Sequence, residues 1–308
     1  MFKLKWRQKK KIRRTIMAYL FMLPAMILLV VFTFYPIVYG TFLSFFDYNM
    51  LRHTSGGELA PPRWVGLKNL IRVFKDPYFY IAMRNSLLYL LVVPAIQFIS
   101  ILVAILVNKK IKGVTWFRTA YYIPVITSIV VVGIAWKWLL GSDGILNFLL
   151  VKQLHLFSKA IPWLTNSNLA IFSVMFVTLW KGIGYYMILY LAGLQTIPPE
   201  YEEAARLDGA SGWQVFSKIT IPLLKPTIAL CAIISCISAL KVFGEIFVMT
   251  KGGPENGTLT MVYYIFNKAF TEFDMGYAAA LSLVLAVAVA IISYVNVAFF
   301  KKGGLQYY

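Results

Sequence analysis

Six stretches of this sequence are apolar and long enough to cross the hydrocarbon core of a bilayer, which takes about 20 residues of helix. They run from Ile16 to Tyr39, Arg84 to Val107, Thr119 to Leu140, Leu169 to Leu194, Thr227 to Met249 and Met275 to Phe300. No other property limits the fold so strongly. A backbone in lipid must satisfy its own N–H and C=O groups, so each stretch is expected to be a helix. Pro24, Pro94, Pro124, Gly182 and Gly184 fall inside these stretches, where neighbouring helices can re-satisfy the backbone. With 60% hydrophobic residues, the expectation is an all-α, polytopic membrane protein with the lipid bilayer as its solvent.

The net charge of +18 suggests nucleic acid only until the charges are placed. Seventeen of the thirty Lys/Arg lie in the N-terminal segment, the even-numbered loops and the C-terminal tail, against nine in the other three loops. Eight of them crowd into "MFKLKWRQKKKIRR". The excess marks the cytoplasmic side and places both termini there, with no nucleic-acid partner. The expected organisation is a basic cytoplasmic segment over 1–15, a membrane domain over 16–300 and a cytoplasmic tail over 301–308. The first apolar run exceeds the h-region of a signal peptide and lacks a small-residue cleavage site, so it reads as a span that also targets the chain.

Few residues offer chemistry. Cys231 and Cys236 sit five apart in one span, without a shared face for a disulfide or a metal. His53 and His155 are isolated in loops. There is no G-x-x-x-x-G-K-[ST] phosphate loop, C-x-x-C or H-E-x-x-H, and no nucleophile–base set at membrane depth. The chain reads as a non-enzyme that binds no cofactor, metal or nucleotide.

Two external loops carry structure. In "GLKNLIRVF", Leu67, Leu70, Ile71 and Phe74 recur at helical spacing, predicting an amphipathic helix that caps the helix bundle as a packing element or, alternatively, lies flat on the outer leaflet; the "GGELAPP" before it reads as a flexible turn. The loop from Gly141 to Asn168 is apolar but broken by Gly, Pro and Asn, and is expected to fold as an external cap. The two halves of the chain show no repeat, against an inverted-repeat transporter.

The connection between the fourth and fifth stretches, Pro198 to Pro226, is different in kind. "PPEYEE" is a helix start, with proline in the first turn and acids at the positive end of the dipole. Glu202 and Arg206 are placed to pair at i,i+4. Gly209 is suited to a left-handed helix end, and Ser211 with Gln214 forms a capping box for a second helix. Pro222 and Pro226 bend or restart the chain before the next span. The prediction is two short helices hinged at "DGASG". Residues alone leave a docking surface and a plain amphipathic connector about equally supported.

"EAARLDGASGWQVFSKITIP" resembles the EAA loop of permease subunits in binding-protein-dependent ABC importers, EAA-x3-G-x9-I-x-LP. Glu203, Ala204, Ala205, Gly209, Ile219 and Pro222 fall at its positions, and Ile221 replaces the usual Leu. "WVGLKNLIRVFKDPYF", "FRTAYYIPVITSIVVVGIAWKWLL" and the segments after Val248 are similar to the carbohydrate branch, above all to maltose-permease-like subunits. The resemblance implies a type I ABC importer permease fold with six spans and a cytoplasmic coupling helix. It implies a second homologous permease, an ATPase dimer carrying ATP and Mg, and an extracytoplasmic sugar-binding protein as partners, in a prokaryotic plasma membrane. Glu203, Ala204, Ala205 and Gly209 would then couple to the ATPase.

Lys181, in the middle of the fourth span, costs about 2.5–3.5 kcal/mol on insertion scales and is expected to face a partner or water. Lys241 and Glu245 stand at i,i+4 in the fifth span and are expected either to pair with each other or to line a polar path. The resemblance places Thr178, Lys181, Gly182, Tyr185, Ser235, Ala239, Val242 and Gly244 near the solute pathway. Trp180, Lys241 and Glu245 join them as candidates, Trp180 because an aromatic face can stack on a sugar. The family's amide-bearing residues are absent here, so the resemblance fixes no particular sugar. Import of an oligosaccharide is the leading expectation. Uptake of glycerol phosphate or a polyol is an alternative, and a proton-coupled secondary transporter is the rival of another class.

Overall fold

The computed structural model of the chain describes residues 2–53, 60–109 and 112–302, with side chains described from Ile12 to Lys301. The end of the tail, most of the "GGELAPP" turn and the side chains of the basic segment up to residue 11 lie outside the described residues. The chain is mostly helical, as expected; the one sheet among the described residues pairs Phe46–Asp47 with Arg63–Trp64. It divides into two compact units. One holds the chain up to Val73 with Lys268–Leu283, and the other holds Phe74–Asn267 with the chain from Val284 onward.

In the first unit the helix Phe2–Leu29 continues through a π turn, Val30–Phe34, into Tyr35–Leu43. Residue 15 is therefore no structural boundary. The candidate span is Ile12–Leu43, and none of its most apolar window is buried within the chain. Such a face suits lipid or another chain. The expected amphipathic helix exists as Lys68–Val73, and its apolar stripe is not the face packed against the rest of the chain. Asn69 and Val73 are buried, while Leu67 and Ile71 are exposed. The reason is polar: the Asn69 amide donates to the carbonyls of Ser44 (3.0 Å) and Phe46 (2.8 Å), which end the first helix and begin the sheet. A buried carbonyl without a partner is costly. Arg72 bridges to Asp274 at 2.7 Å and lies 4.0 Å over the ring of Tyr277.

In the second unit the spans are Pro77–Asn108, Ser167–Gln195 and Lys225–Met249, with a bent pair, Val114–Ile126 and Ile129–Leu139. The remaining span is the helix Met275–Lys302, whose residues up to Leu283 belong to the first unit and the rest to the second. Among the described residues, five helices are long and apolar enough to cross a membrane, or six if the bent pair is one span. The expected uninterrupted third span is thus corrected: its two arms meet at 98°. Thr127 and Ser128 are extended at the break. Their hydroxyls close the exposed helix ends, Thr127 Oγ1 donating to Ile123 O at 2.8 Å and Ser128 Oγ accepting from Val130 N at 3.4 Å.

Spans pack where side chains vanish. A Cβ on Gly184 of the fourth span would lie 1.9 Å from the carbonyl oxygen of Tyr121, so only glycine permits this approach of backbones. Buried polar groups tie three spans together. Gln97 donates to Ser235 Oγ (2.8 Å) and Cys231 O (3.3 Å), and accepts from Tyr190. Cys231 is buried and both cysteines are free.

The loop predicted to fold as a cap does so, and Asn147 holds it. Its amide nitrogen donates to the carbonyls of Gly141, Ser142 and Ile161 at 3.1, 3.3 and 3.0 Å. Its oxygen accepts from Ile161 N at 3.0 Å and Trp163 Nε1 at 3.1 Å.

Candidate functional site

A cavity of about 630 Å³ opens among the second to fifth spans, within the size range of small-molecule sites. Every pathway residue named from the sequence lines it except Trp180. Trp180 packs edge-to-face on Trp136, with centroids 5.4 Å apart, and lines a separate apolar hollow of about 470 Å³ beside the bent span. Stacking of a solute in the cavity is therefore not open to it.

The walls are mixed. Val92, Val93 and Ile96 of the second span and Ile129 of the bent span supply apolar surface, while Tyr185, Tyr186, Ser235 and Ser238 supply hydroxyls. The second span and Tyr186 were missed from sequence. A run of aliphatic residues carries no mark of lining a cavity, and Tyr186 differs from Tyr185 only in which face of the helix it occupies.

The break in the third span explains the mid-membrane lysine. Val125 stands one residue from the end of its helix, where carbonyls lack intrahelical partners, and Lys181 Nζ donates to its oxygen at 3.1 Å. A cation at a helix C-terminus also meets the negative end of the dipole. The fifth span breaks as well. Its helix ends at Leu240, Lys241 and Phe243 leave helical geometry, and a new helix runs Gly244–Met249. This interruption removes the i,i+4 relation, and the expected Lys241–Glu245 pair does not form. Thr178, which lines the same cavity as Glu245, is hydrogen-bonded to Tyr89. The arrangement offers donors at several heights and a single carboxylate acceptor, suited to a polar solute with many hydroxyls.

The connection beyond the fourth span folds as predicted into Pro199–Leu207 and Gly212–Val215. Gly209 takes φ +82°. Gly209 N bonds to Arg206 O (3.1 Å) and Ala210 N to Ala205 O (2.9 Å), the two bonds of a Schellman ending. Ser211 and Gln214 form the reciprocal capping box. Glu202 does not pair with Arg206; its carboxylate accepts from Thr220 Oγ1 at 3.5 Å, across to the π turn Phe216–Thr220. The loop buries little of its own surface. Glu203, Ala204 and Gly209 are exposed, Ala205 is half-buried, and Leu207 and Trp213 are 89% and 72% exposed. Two capped helices bearing large bare apolar side chains have the character of a docking surface.

Residues 78–302 match the family described as the binding-protein-dependent transport system inner membrane component. The lactose transport system permease protein LacF of Rhizobium radiobacter is 36% identical, over 90% of this chain and 92% of its own. The multiple sugar-binding transport system permease protein MsmF of Streptococcus mutans is 31% identical, over 95% and 98%. A chain from the crystal structure of a bacterial ABC transporter involved in the import of the acidic polysaccharide alginate superposes with a TM-score of 0.80. That match has 24% identity and covers 96% of this chain and 99% of the other, so the two share a fold.

Proposed function

The chain belongs to the family of binding-protein-dependent transport system inner membrane components, and we propose that within it this permease imports a sugar, an oligosaccharide before a monosaccharide. Relatives of known name that handle lactose or multiple sugars support the substrate class. The observation that carries the reading is the cavity: a mixed wall of hydroxyls, aliphatic side chains and three charged residues, built from the spans on either side of the coupling loop.

In this reading a second, homologous permease completes the pathway and an extracytoplasmic binding protein delivers the solute. An ATPase dimer holds ATP and Mg on the cytoplasmic face, together with both termini of this chain. The chain itself holds no nucleotide. Glu203 offers a charged contact to the ATPase, Ala204 and Ala205 allow close approach, and Gly209 sets the turn. Leu207 and Trp213 add the apolar contacts. Family membership leaves no role for a self-contained proton-coupled transporter. A glycerol phosphate or polyol is the second substrate reading, favoured by the cavity lysines.

The test is uptake in the native host. Removing this chain should abolish binding-protein-dependent accumulation of one labelled oligosaccharide, and Glu203→Lys should do the same while the chain stays in the membrane. Undiminished uptake of every sugar tried, with loss of glycerol phosphate or polyol uptake instead, would overturn the sugar assignment.

A further inference from the structure

The cavity holds three charged side chains, and they are not equivalent. Lys181 is answered by the carbonyl of Val125 at 3.1 Å. Lys241 has no such partner. It is exposed and lines the cavity at the break in the fifth span, and takes part in none of the ion pairs among the described residues. The helix break is the cause, since a continuous helix would have set Lys241 and Glu245 at i,i+4 and cancelled them. Beside Lys241 in the chain, Ile237, Val242 and Phe243 give the cavity apolar surface and Ser238 a hydroxyl. A charge beside low-dielectric walls is focused into the cleft rather than dispersed. The cavity therefore carries two lysines against one carboxylate, and Lys241 is the lysine that no hydrogen bond or ion pair among the described residues holds.

From this we infer that Lys241 selects solutes bearing an anionic oxygen substituent, such as a carboxylate, sulfate or phosphate on a sugar. Lys181, Glu245 and Tyr185 address hydroxyls. This rests on the cavity being the solute pathway. The division assigns charge selection and hydroxyl recognition to different side chains of one cavity.

The test reads the charge at the site without knowing the sugar. Ser238 is exposed, lines the cavity and stands one helical turn before Lys241. In the assembled transporter, with Cys231 and Cys236 replaced by alanine, Ser238→Cys is labelled with an anionic and with a cationic methanethiosulfonate of similar size. The anionic reagent should react about tenfold faster relative to the cationic one than it does with a free thiol. That preference should vanish in Lys241→Gln, return in Lys241→Arg, and fade in high salt. Equal relative rates in the parent, or a preference unchanged by Lys241→Gln, would overturn the inference while leaving the pathway reading intact. Failure of both reagents to label Ser238→Cys would overturn the pathway reading, and this inference with it.

Discussion

The ammonium of Lys181, midway along the fourth span, lies 3.1 Å from the carbonyl oxygen of Val125, at the end of the first arm of the bent third span. One contact answers two demands of the membrane interior: a cation needs a partner, and an interrupted helix needs its last carbonyls satisfied. Lys181→Met should remove the hydrogen-bond partner of the Val125 carbonyl. A loss of about 1–3 kcal/mol is expected from one unsatisfied buried group, read as a lower unfolding midpoint in detergent. Lys181→Arg should recover part of it. An unchanged midpoint for Lys181→Met would show that the bend does not depend on this bond.

Gly184→Ala tests the closest approach between spans. The added methyl would meet Tyr121 O at 1.9 Å, a distance that forces the fourth span and the bent span apart. Overpacking of this kind costs about 1–3 kcal/mol. The variant should melt earlier than Gly182→Ala, whose Cβ would meet the flexible end of Ile96. Equal stability of the two variants would contradict the packing described.

Asn147→Leu should release the external cap. Three carbonyls and two N–H groups lose their common partner, and the bonds are individually worth about 0.5–1.5 kcal/mol. Limited proteolysis between Leu154 and Pro162 should accelerate, with cleavage elsewhere unchanged. A wild-type digestion pattern would mean that the cap is held by its apolar contacts.

Gly209→Val addresses the hinge of the coupling loop. A β-branched residue at φ +82° costs about 1–2 kcal/mol and should undo the Schellman ending. The chain should still insert and bind its partners weakly, but ATP hydrolysis should no longer drive uptake. Full coupling in this variant would remove Gly209 from the mechanism.

The sequence was most readable where side chains act on neighbours in the chain. The caps at Ser211 and Gln214, the left-handed Gly209 and the start at Pro199 are local signals, and they appear where they were expected. It was least readable where the deciding contact is remote. Nothing near Leu67 and Ile71 announces that Asn69 must face inward to serve Ser44 and Phe46. Thr127–Ser128 is a helix stop and start, but inside an apolar run the spanning length outweighed it. The i,i+4 spacing of Lys241 and Glu245 implied a pair only for an unbroken helix, and the break after Leu240 depends on tertiary packing. The cavity was visible through its polar and small residues and invisible through Val92, Val93 and Ile96, whose apolar character is shared with every lipid-facing position.

The most direct measurement of the central claim, that this is an importer permease driven through the Pro198–Pro226 loop, is site-directed crosslinking in native membranes. Leu207→Cys, at the most exposed apolar position of the loop, would carry a short thiol-reactive photocrosslinker, and the adduct would be identified by mass spectrometry. The account predicts an ATP-binding cassette subunit in the adduct, and its loss when Glu203→Lys is added. A Leu207 adduct with lipid alone, or with no ATPase in membranes where uptake is active, would contradict it.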